Sequence, residues 1–278
     1  MDRDSRRWII HADDFGETDE ITDGIAIAMR AGRVTSTTIM ANMPGTDHAL
    51  TLAAQWSAPA SFGVHINLCE GRPLTAAASL RDGNGEFFNK RALFMRSVTG
   101  RLSLEDLELE IGAQIARIRD AGISISHLDG HKHLHQLPVV REAVVRCAGR
   151  FGIERARVSI SKFNDLNNLP AIARIGIGVR NRMSHRSASL FASHGIRSPS
   201  GIVDIASIMR APDRASRALA KLESEAPLEV FCHPGTQAAD VEKPGSCSRF
   251  DELNYLVSDG FAQLMQALGV QTISYWEL

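Results

Sequence analysis

The stretch Gly122-Ile-Ser-Ile-Ser-His-Leu-Asp-Gly-His-Lys-His-Leu-His135 holds four of the ten histidines of the chain, together with an aspartate. The apolar, β-branched residues at 122–126 predict a buried strand that ends where the histidines begin. Pro138 and a helical pattern follow the histidines. Functional side chains commonly lie in the loop that leaves such a strand. Because neutral imidazole is the commonest metal ligand, the run indicates a metal site, although a solvated histidine-rich loop is the alternative.

The same order of strand, loop and helix recurs along the chain. Besides the strand that ends near Ser126, strands are predicted at Trp8–Ala12, Thr35–Ala41, Ser61–Asn67, Ala156–Ile160, Gly201–Ile205, Leu228–Cys232 and Val270–Trp276. Helices are predicted at 21–32, 44–56, from Ser103 onward, and at 139–150, 170–191, 212–224 and 251–268.

Repeated βα units of this number and length favour an α/β fold, a single-domain distorted (β/α) barrel over residues 1–278 with seven or eight parallel strands. An open doubly wound sheet is the alternative. The turn-rich segment at about 70–100 is predicted to be an excursion that covers a site, because long loops in compact domains are usually functional.

The composition is that of an ordinary soluble protein, with 44% hydrophobic and 23% charged residues. The formal net charge of −1 gives no reason to expect a nucleic-acid partner. The four cysteines form no C-x-x-C pair and suit a reducing compartment. No apolar run approaches the length of a membrane span or of a signal-peptide core, so we expect a cytoplasmic protein. Neither a G-x-G-x-x-G nor a G-x-x-x-x-G-K-[ST] motif is present, which disfavours nucleotide binding.

Chemically capable side chains follow several of the predicted strands. Asp13 and Asp14 end the first strand, His65 lies near the end of the third, His131 follows the fourth and His233 ends a late one. In a parallel barrel these ends lie on one face, where barrel active sites form. Each residue also has an ordinary explanation, such as helix capping for the aspartates or a hydrogen bond in the core for His65. Their coincidence at one face favours an active site.

The histidine run offers several ligand candidates. His127, Asp129 and His131 share strand parity and should face the same side. His131 and His135 are four residues apart, which suits joint ligation if a helix begins there. His133 has the weakest claim because it shares a helical face with neither neighbour. Which of them reaches the metal is open at this point.

Cys232 and His233 are adjacent in sequence, which by itself suggests a cysteine nucleophile with its histidine base. Adjacent strand residues face opposite sides, so the two side chains should not meet. We therefore expect His233 to donate a proton and Cys232 to pack in the core. The absence of a G-x-S-x-G motif argues against a serine hydrolase.

Seven motifs in order along the chain resemble those of the YdjC-like carbohydrate deacetylases, which are themselves similar to the broader polysaccharide deacetylases. They are Ala12-Asp-Asp-Phe-Gly16, Val34-Thr-Ser-Thr-Thr38, Ala41-Asn-Met-Pro44, Gly63-Val-His-Ile-Asn67, Glu70-Gly-Arg-Pro-Leu74, the run from His127 to His135 and His233-Pro-Gly235. The resemblance covers nearly the whole chain.

The resemblance implies a distorted barrel that removes acetyl groups from N-acetylated mono- or oligosaccharides, such as chitooligosaccharides, with one divalent metal ion. Carried over motif by motif, Asp14, His65 and His131 would bind the metal. Asp13 would be the base that accepts a proton from water, and His233 would be the acid that protonates the leaving nitrogen.

Further residues of these motifs are expected to assist. His127 and Asp129 would support the ligands from behind, and His135 is a reserve ligand. Substrate contacts are expected from Asn67, Glu70 and Arg72. The chain departs from the family pattern at 157–161, where no proline follows the arginine.

The resemblance points to Mg²⁺, whereas two nitrogens and one oxygen suit Zn²⁺, Co²⁺ or Mn²⁺ better. Two other functions stay open: a metal-dependent phosphoesterase of barrel type and a non-catalytic protein that binds metal or sugar. The phosphoesterase would usually need an H-x-H on the first strand, where this chain has Asp13-Asp14. The expected partner is a sugar, with no nucleic acid and no membrane span, and a homodimer is an alternative to a monomer.

Overall fold

The computed structural model describes residues 6–163, 171–222, 226–239 and 247–278. Its eight strands, all parallel, are β1 (Arg6–Phe15), β2 (Ser36–Ile39), β3 (Ser61–Ile66), β4 (Ile125–Gly130), β5 (Ser161–Phe163), β6 (Ile202–Asp204), β7 (Leu228–Cys232) and β8 (Val270–Ile273). The helices that connect and cover them are α1 (Asp19–Arg30), α2 (Thr46–Ala54), α3 (Lys90–Val98), α4 (Leu104–Asp120), α5 (Pro138–Phe151), α6 (Ala171–Ser193), α7 (Ile205–Arg210), α8 (Pro212–Leu219), α9 (Arg249–Val257) and α10 (Asp259–Ala267). None of the helices in these ranges is both long and apolar enough to cross a membrane.

The strands lie in the order β4-β3-β2-β1-β7-β6-β5, and β8 pairs with the first half of β1. This arrangement confirms the predicted α/β fold and fits a distorted (β/α) barrel, although strand pairing does not close the sheet. The open edge lies between β4 and β5, the two ends of this strand order. Leu128 of β4 bonds there to the segment before β5: its N–H donates to the carbonyl of Arg155 at 3.0 Å, and its carbonyl accepts from the N–H of Arg157 at 2.9 Å.

The predicted fifth strand at Ala156–Ile160 is misplaced, since β5 begins only at Ser161. The segment before β5 divides its backbone hydrogen bonds between two partners. Arg155 and Arg157 bond to Leu128, whereas Ala156 donates to the carbonyl of Arg197 on the other side. Isolated bridges therefore replace a continuous ladder there.

The predicted helix at 251–268 is two helices, because the side chain of Ser258 caps α10 by accepting a hydrogen bond from the N–H of Phe261. The last strand ends at Ile273 rather than Trp276, where a 3₁₀ turn begins. The predicted helix at 212–224 ends at Leu219, and its last two residues lie outside the described residues, as does the first residue of the helix predicted at 170–191.

The central strand β1 divides its side chains between two environments. Trp8, Ile10 and Ala12 belong to the main hydrophobic core, whereas His11 meets the ring of Tyr275 at 5.8 Å and Asp13 is likewise buried among polar groups. This alternation follows from the two-residue period of a strand. The interior of the barrel is therefore lined by ionisable groups.

The segment at 70–100 contains the helix α3, which its turn-rich composition did not predict. Hydrogen bonds to the fully buried carboxylate of Glu110 connect the segment to α4. That carboxylate accepts hydrogen bonds from the backbone N–H groups of Leu74 and Thr75, at 3.1 and 3.0 Å. The carboxylate thus fixes the start of the excursion beside the carboxyl end of β3.

Gly24 allows the loop after β7 to lie directly on α1. A Cβ at Gly24 would stand 2.3 Å from the Cα of Gly235, closer than any real contact. In the same loop the N–H of Thr236 donates to the carbonyl of Glu20 at 3.1 Å. The position of the His233-Pro-Gly loop therefore depends on the absence of a side chain at Gly24.

Gly24→Ala should destabilise the protein by about 1–3 kcal/mol, because the new methyl group forces the loop off α1. The matched control is Gly149→Ala in α5, where an added Cβ would meet nothing within 4 Å. That change should stabilise by roughly 0.5–1 kcal/mol through helix propensity alone. Equilibrium urea unfolding measures both, and equal stabilisation of the two variants would show that the loop moves away without cost.

Candidate metal centre and active site

Both aspartates at the end of β1 face the same site, which regular strand alternation would not allow. Asp14 adopts a left-handed backbone conformation with φ of 72°. The pairing of β1 with β2 also shifts register between Ala12 and Phe15. Aspartate is one of the few residues that tolerates this conformation. The irregularity brings Asp13 and Asp14 to one face with different neighbours.

Asp14, His65 and His131 come together at the carboxyl ends of β1, β3 and β4. Asp14 Oδ1 lies 3.2 Å from His65 Nε2 and 2.9 Å from His131 Nδ1. All three side chains are buried, and His131 is the most exposed at 7%. The predicted ligands therefore form one compact group of two imidazoles and one carboxylate.

A carboxylate stands behind each imidazole of this group. Asp129 Oδ1 lies 2.7 Å from His65 Nδ1, and Glu70 Oε2 lies 3.2 Å from His131 Nε2. Lys132 forms an ion pair with Glu70. Such carboxylate partners fix the ring orientation of metal-binding histidines and raise their basicity.

The carboxylates determine how these histidines titrate. Burial alone would lower the pKa of His131, but Asp14 and Glu70 raise it to about 9. Burial is likewise outweighed at His65, where Asp129 and Asp14 hold the pKa well above its usual value. The adjacent His131 imidazole lowers the pKa of Glu70 to about 2 against the effect of partial burial, and Lys132 lowers it further. The surroundings of both imidazoles thus favour positive charge.

The donor set fits a divalent cation. Two imidazole nitrogens and a carboxylate oxygen are suitable ligands and leave positions for water and substrate. Although His65 Nε2 is fully buried and faces Asp14, it makes no hydrogen bond of acceptable geometry within the described part of the chain. A buried nitrogen without a hydrogen bond is unfavourable unless another group completes it.

Two other groups of histidine and aspartate have ligand-like spacing within the described ranges, and both include Asp129. Asp129 Oδ2 is 2.9 Å from Arg157 Nη1 and accepts a hydrogen bond from Thr38. A dication on Asp129 would therefore lie close to the guanidinium of Arg157. The nitrogens of His11 in one of these groups already pair with Ser36 and Thr38. The group around Asp14 is the better cation site.

Arg157 is fully buried and binds several carboxylates inside the barrel. Its Nη1 and Nη2 donate to the two oxygens of Asp13 at 2.8 and 2.6 Å, and its Nε donates to Glu229 Oε1 at 2.7 Å. Burial would raise the pKa of Asp13, but the Arg157 guanidinium holds it below its usual range. Arg157 therefore keeps Asp13 ionised and fixes the plane of its carboxylate.

His233 follows β7 and lies close to Asp13. Its Nε2 is 3.9 Å from Asp13 Oδ2, and about a third of its side chain is exposed. The backbone N–H of His233 donates to Glu252 Oε2 of α9 at 2.6 Å. The predicted base and acid are therefore adjacent, and the acid reaches solvent.

Other predicted residues of the histidine run lie away from the centre. His127 stacks on the ring of Tyr275 at 3.5 Å, deep in the barrel. Burial, with His11 nearby, holds the pKa of His127 well below its usual value, so it is neutral. His135 Nε2 bonds to the carbonyl of Arg157 at 3.1 Å. Both histidines support the barrel interior, and His135 belongs to none of the ligand-like groups among the described residues.

The residues expected to contact substrate have different surroundings. The amide of Asn67 bonds within the chain, donating to Asn42 and to the carbonyl of Glu70 and accepting from the N–H groups of Cys69 and Glu70. Glu70 itself stands behind His131. Arg72 is exposed on the excursion, 4.0 Å from Glu86. The structure thus gives Asn67 and Glu70 contacts within the protein, and a substrate role of the three stays a prediction.

Sequence reasoning missed Arg157, Glu229, Glu252 and Arg249. Arg157 and Glu229 each lie in a run predicted as a buried strand, and a charged residue in such a run signals a partner elsewhere. Arg249 reaches Asp14 across 235 positions of sequence, and no local pattern indicates that contact.

Comparison of the sequence with known proteins identifies the family of this chain. The family model described as YdjC-like protein matches residues 7–267. The chain belongs to the YdjC-like family. It is 30% identical to the carbohydrate deacetylase of Geobacillus stearothermophilus, over 98% of both chains. It is also 30% identical to human carbohydrate deacetylase, covering 89% of this chain and 80% of the human protein. These matches confirm the resemblance seen in the motifs.

Two further relatives extend this result for the YdjC-like chain. The chitooligosaccharide deacetylase of Yersinia pestis is 40% identical over half of this chain and 54% of its own length. The crystal structure of an Enterococcus faecalis protein, described as a cellobiose-phosphate cleavage protein, superposes with a TM-score of 0.72 over 98% of both chains at 21% identity. That structure supports the fold.

Arg157→Met should destabilise the protein by about 3–5 kcal/mol, since it leaves buried carboxylates without a counter-charge. The exposed pair of Arg146 with Glu108, at 2.9 Å, provides the control. Arg146→Met should cost less than about 1 kcal/mol. Denaturant unfolding compares the two, and a small effect at Arg157 would mean that the carboxylates inside the barrel take up protons without loss of the fold.

Replacement of Glu252 should change how stability depends on pH. Burial raises the pKa of Glu252 from 4.5 to about 7, with Asp204 also raising it and His233 and Arg249 opposing. The folded state therefore binds this proton more tightly than the unfolded state, and the stability from this group is lost as the pH rises through about 7. Glu252→Gln stays neutral, so its stability relative to the unmodified protein should rise by roughly 1–3 kcal/mol between pH 5 and 8.

Unfolding free energies of the two proteins at intervals between pH 5 and 8 test this expectation. The comparison cancels ionisable groups that are remote from Glu252 and therefore titrate equally in both proteins. A constant difference across this range would show that Glu252 is ionised throughout.

Proposed function

We propose that this YdjC-like chain is a carbohydrate N-deacetylase that uses one divalent metal ion to hydrolyse the acetamido group of an N-acetylated mono- or oligosaccharide. The observation that supports it best is the position of Asp13 and His233 beside the group of Asp14, His65 and His131. The relatives named carbohydrate deacetylase and chitooligosaccharide deacetylase support the same reaction class.

Asp14, His65 and His131 would hold the metal, with Asp129 and Glu70 fixing the two imidazoles. When bound, a divalent cation lowers the pKa of water and stabilises negative charge on a carbonyl oxygen. Magnesium is implied by the resemblance, whereas the two nitrogen donors favour zinc, cobalt or manganese. Elemental analysis of protein purified without added metal decides between them.

Asp13 accepts the proton of the attacking water in this proposal. Arg157 keeps the carboxylate ionised by donating to both oxygens, which leaves their remaining lone pairs for water. Strong pairing lowers basicity but guarantees the charged form at neutral pH. The carboxylate therefore contributes mainly a fixed position and the correct protonation state.

His233 then protonates the nitrogen that leaves the acyl carbon. Its Nε2 lies within 3.9 Å of Asp13 and its exposed fraction allows exchange with solvent. Glu252 fixes the backbone of His233 from behind. Cleavage of the C–N bond then gives acetate and the free amine of the sugar.

An assay panel tests the proposal against its alternatives. We expect acetate release from N-acetylglucosamine oligomers, abolished by chelation and restored by metal. Release of phosphate from aryl phosphates without acetate release would favour a phosphoesterase. Saccharide binding without either product would favour a non-catalytic sugar-binding protein.

Asp13→Asn and Asp14→Asn should separate catalysis from metal binding. Loss of the base in Asp13→Asn should lower turnover by about 10²–10⁴-fold while the metal content stays near one ion per chain. Asp14→Asn should lose both, because it removes the only carboxylate of the ligand group. Near-normal activity of Asp13→Asn would refute the role of Asp13 as the base.

A further inference from the structure

Arg249 reaches the proposed ligand Asp14 from the first turn of α9. Its Nη2 donates to Asp14 Oδ2 at 2.7 Å and to Glu17 Oε2 at 2.8 Å. The side chain is mostly buried, with 23% of its surface exposed. A buried guanidinium between two carboxylates makes strong, charge-assisted hydrogen bonds.

The two oxygens of Asp14 have different partners. Oδ1 faces the imidazoles, 3.2 Å from His65 Nε2 and 2.9 Å from His131 Nδ1, whereas Oδ2 is held by Arg249. The terminal torsion of an aspartate has a broad energy profile, so the carboxylate does not select this orientation by itself. Its backbone is also in the left-handed region, with φ of 72°. External contacts must therefore fix the plane of the carboxylate.

We propose that Arg249 is a positioning residue that turns Asp14 so that Oδ1 alone ligates the metal. This inference rests on the proposed function, because it assigns Asp14 to the metal. Arg249 occupies Oδ2 and so prevents the carboxylate from binding with both oxygens. Positions around a bound ion would then remain for water and the acetyl carbonyl.

Glu17 makes this arrangement compatible with a cation nearby. An arginine beside a metal ligand would by itself repel a dication. Here the same Nη2 atom is shared with Glu17, whose charge offsets that of the guanidinium. The group of Asp14, Arg249 and Glu17 therefore keeps a net negative charge toward the ion.

The backbone of Arg249 contacts the loop that follows His233. Its carbonyl accepts a hydrogen bond from the N–H of Gly235 at 3.1 Å, two residues after His233. A Cβ at Gly235 would stand 3.0 Å from the Cβ of Arg249, so the loop lies directly on this residue. Arg249 thus holds the ligand through its side chain and the loop of the proposed acid through its main chain. Truncation of the side chain leaves the main-chain bond in place.

Titration of the metal-free protein with Co²⁺, followed by visible absorption, tests this role without relying on activity. Arg249→Met should weaken Co²⁺ binding by about 10–100-fold, the usual effect of removing a group that orients a ligand. The absorption bands of the bound ion should also change, because Asp14 is then free to ligate with both oxygens. Thermal unfolding of the metal-free variants shows whether the fold is retained.

Arg117→Met is the matched control. Arg117 lies outside the site, and its Nη2 is 2.7 Å from Asp47 Oδ1, the same distance as between Arg249 and Asp14. The control variant should bind Co²⁺ as the unmodified protein does. Binding by Arg249→Met within twofold of the unmodified protein, with the same spectrum, would overturn the inference. If Arg249→Met does not fold, Arg249→Gln decides by the same criterion. Failure of the unmodified protein to bind Co²⁺, Zn²⁺, Mn²⁺ or Mg²⁺ would instead contradict the proposed function.

Discussion

The guanidinium of Arg157 is the charge on which the interior of this barrel depends. Barrel interiors are commonly filled by branched apolar side chains, but here Asp13, Asp129 and Glu229 surround one arginine. A buried carboxylate is tolerated only when it is paired and hydrogen-bonded. Glu229 also accepts a hydrogen bond from the hydroxyl of Tyr275 at 2.6 Å, so the same network reaches the C-terminal turn. Inside the barrel, this charge network takes the place of apolar side chains, while the main hydrophobic core lies elsewhere in the fold.

This network also explains how two neighbouring aspartates can have separate roles. Asp13 and Asp14 are adjacent and buried, and like charges at that distance raise each other's pKa unless each has its own counter-charge. Arg157 serves Asp13, while His65, His131 and Arg249 serve Asp14. The left-handed conformation of Asp14 directs the two carboxylates to these different partners. The division between a proposed base and a proposed ligand follows from their surroundings, since the residues are chemically identical.

Sequence reasoning predicted most of the strands, and it singled out residues at strand ends that the structure brings together, because both depend on local patterns. Strand ends at Asp13, His65 and His233 are visible as apolar runs that stop at a polar residue, and in a parallel barrel such ends share a face. The fifth strand was misplaced because Arg157 and its neighbours divide their hydrogen bonds between partners remote in sequence. The contact of Arg249 with Asp14 depends on tertiary packing, so no local pattern predicts it. Likewise, the sequence motif that contains Glu70 does not show that the Glu70 carboxylate contacts His131.

The two imidazoles of the proposed metal centre are supported in unequal ways. Asp129, behind His65, is fully buried in the strand β4 and is held by Arg157. Glu70, behind His131, is about one-third exposed and lies at the start of the excursion, where Lys132 is its other partner. Lys132 and His133 both have positive φ, of 54° and 60°, so the backbone beside His131 is itself strained. The orientation of His65 therefore belongs to the rigid barrel, whereas that of His131 depends on how the excursion packs. The support of His131 by Glu70 thus depends on residues outside the sheet, whereas the support of His65 by Asp129 lies within it.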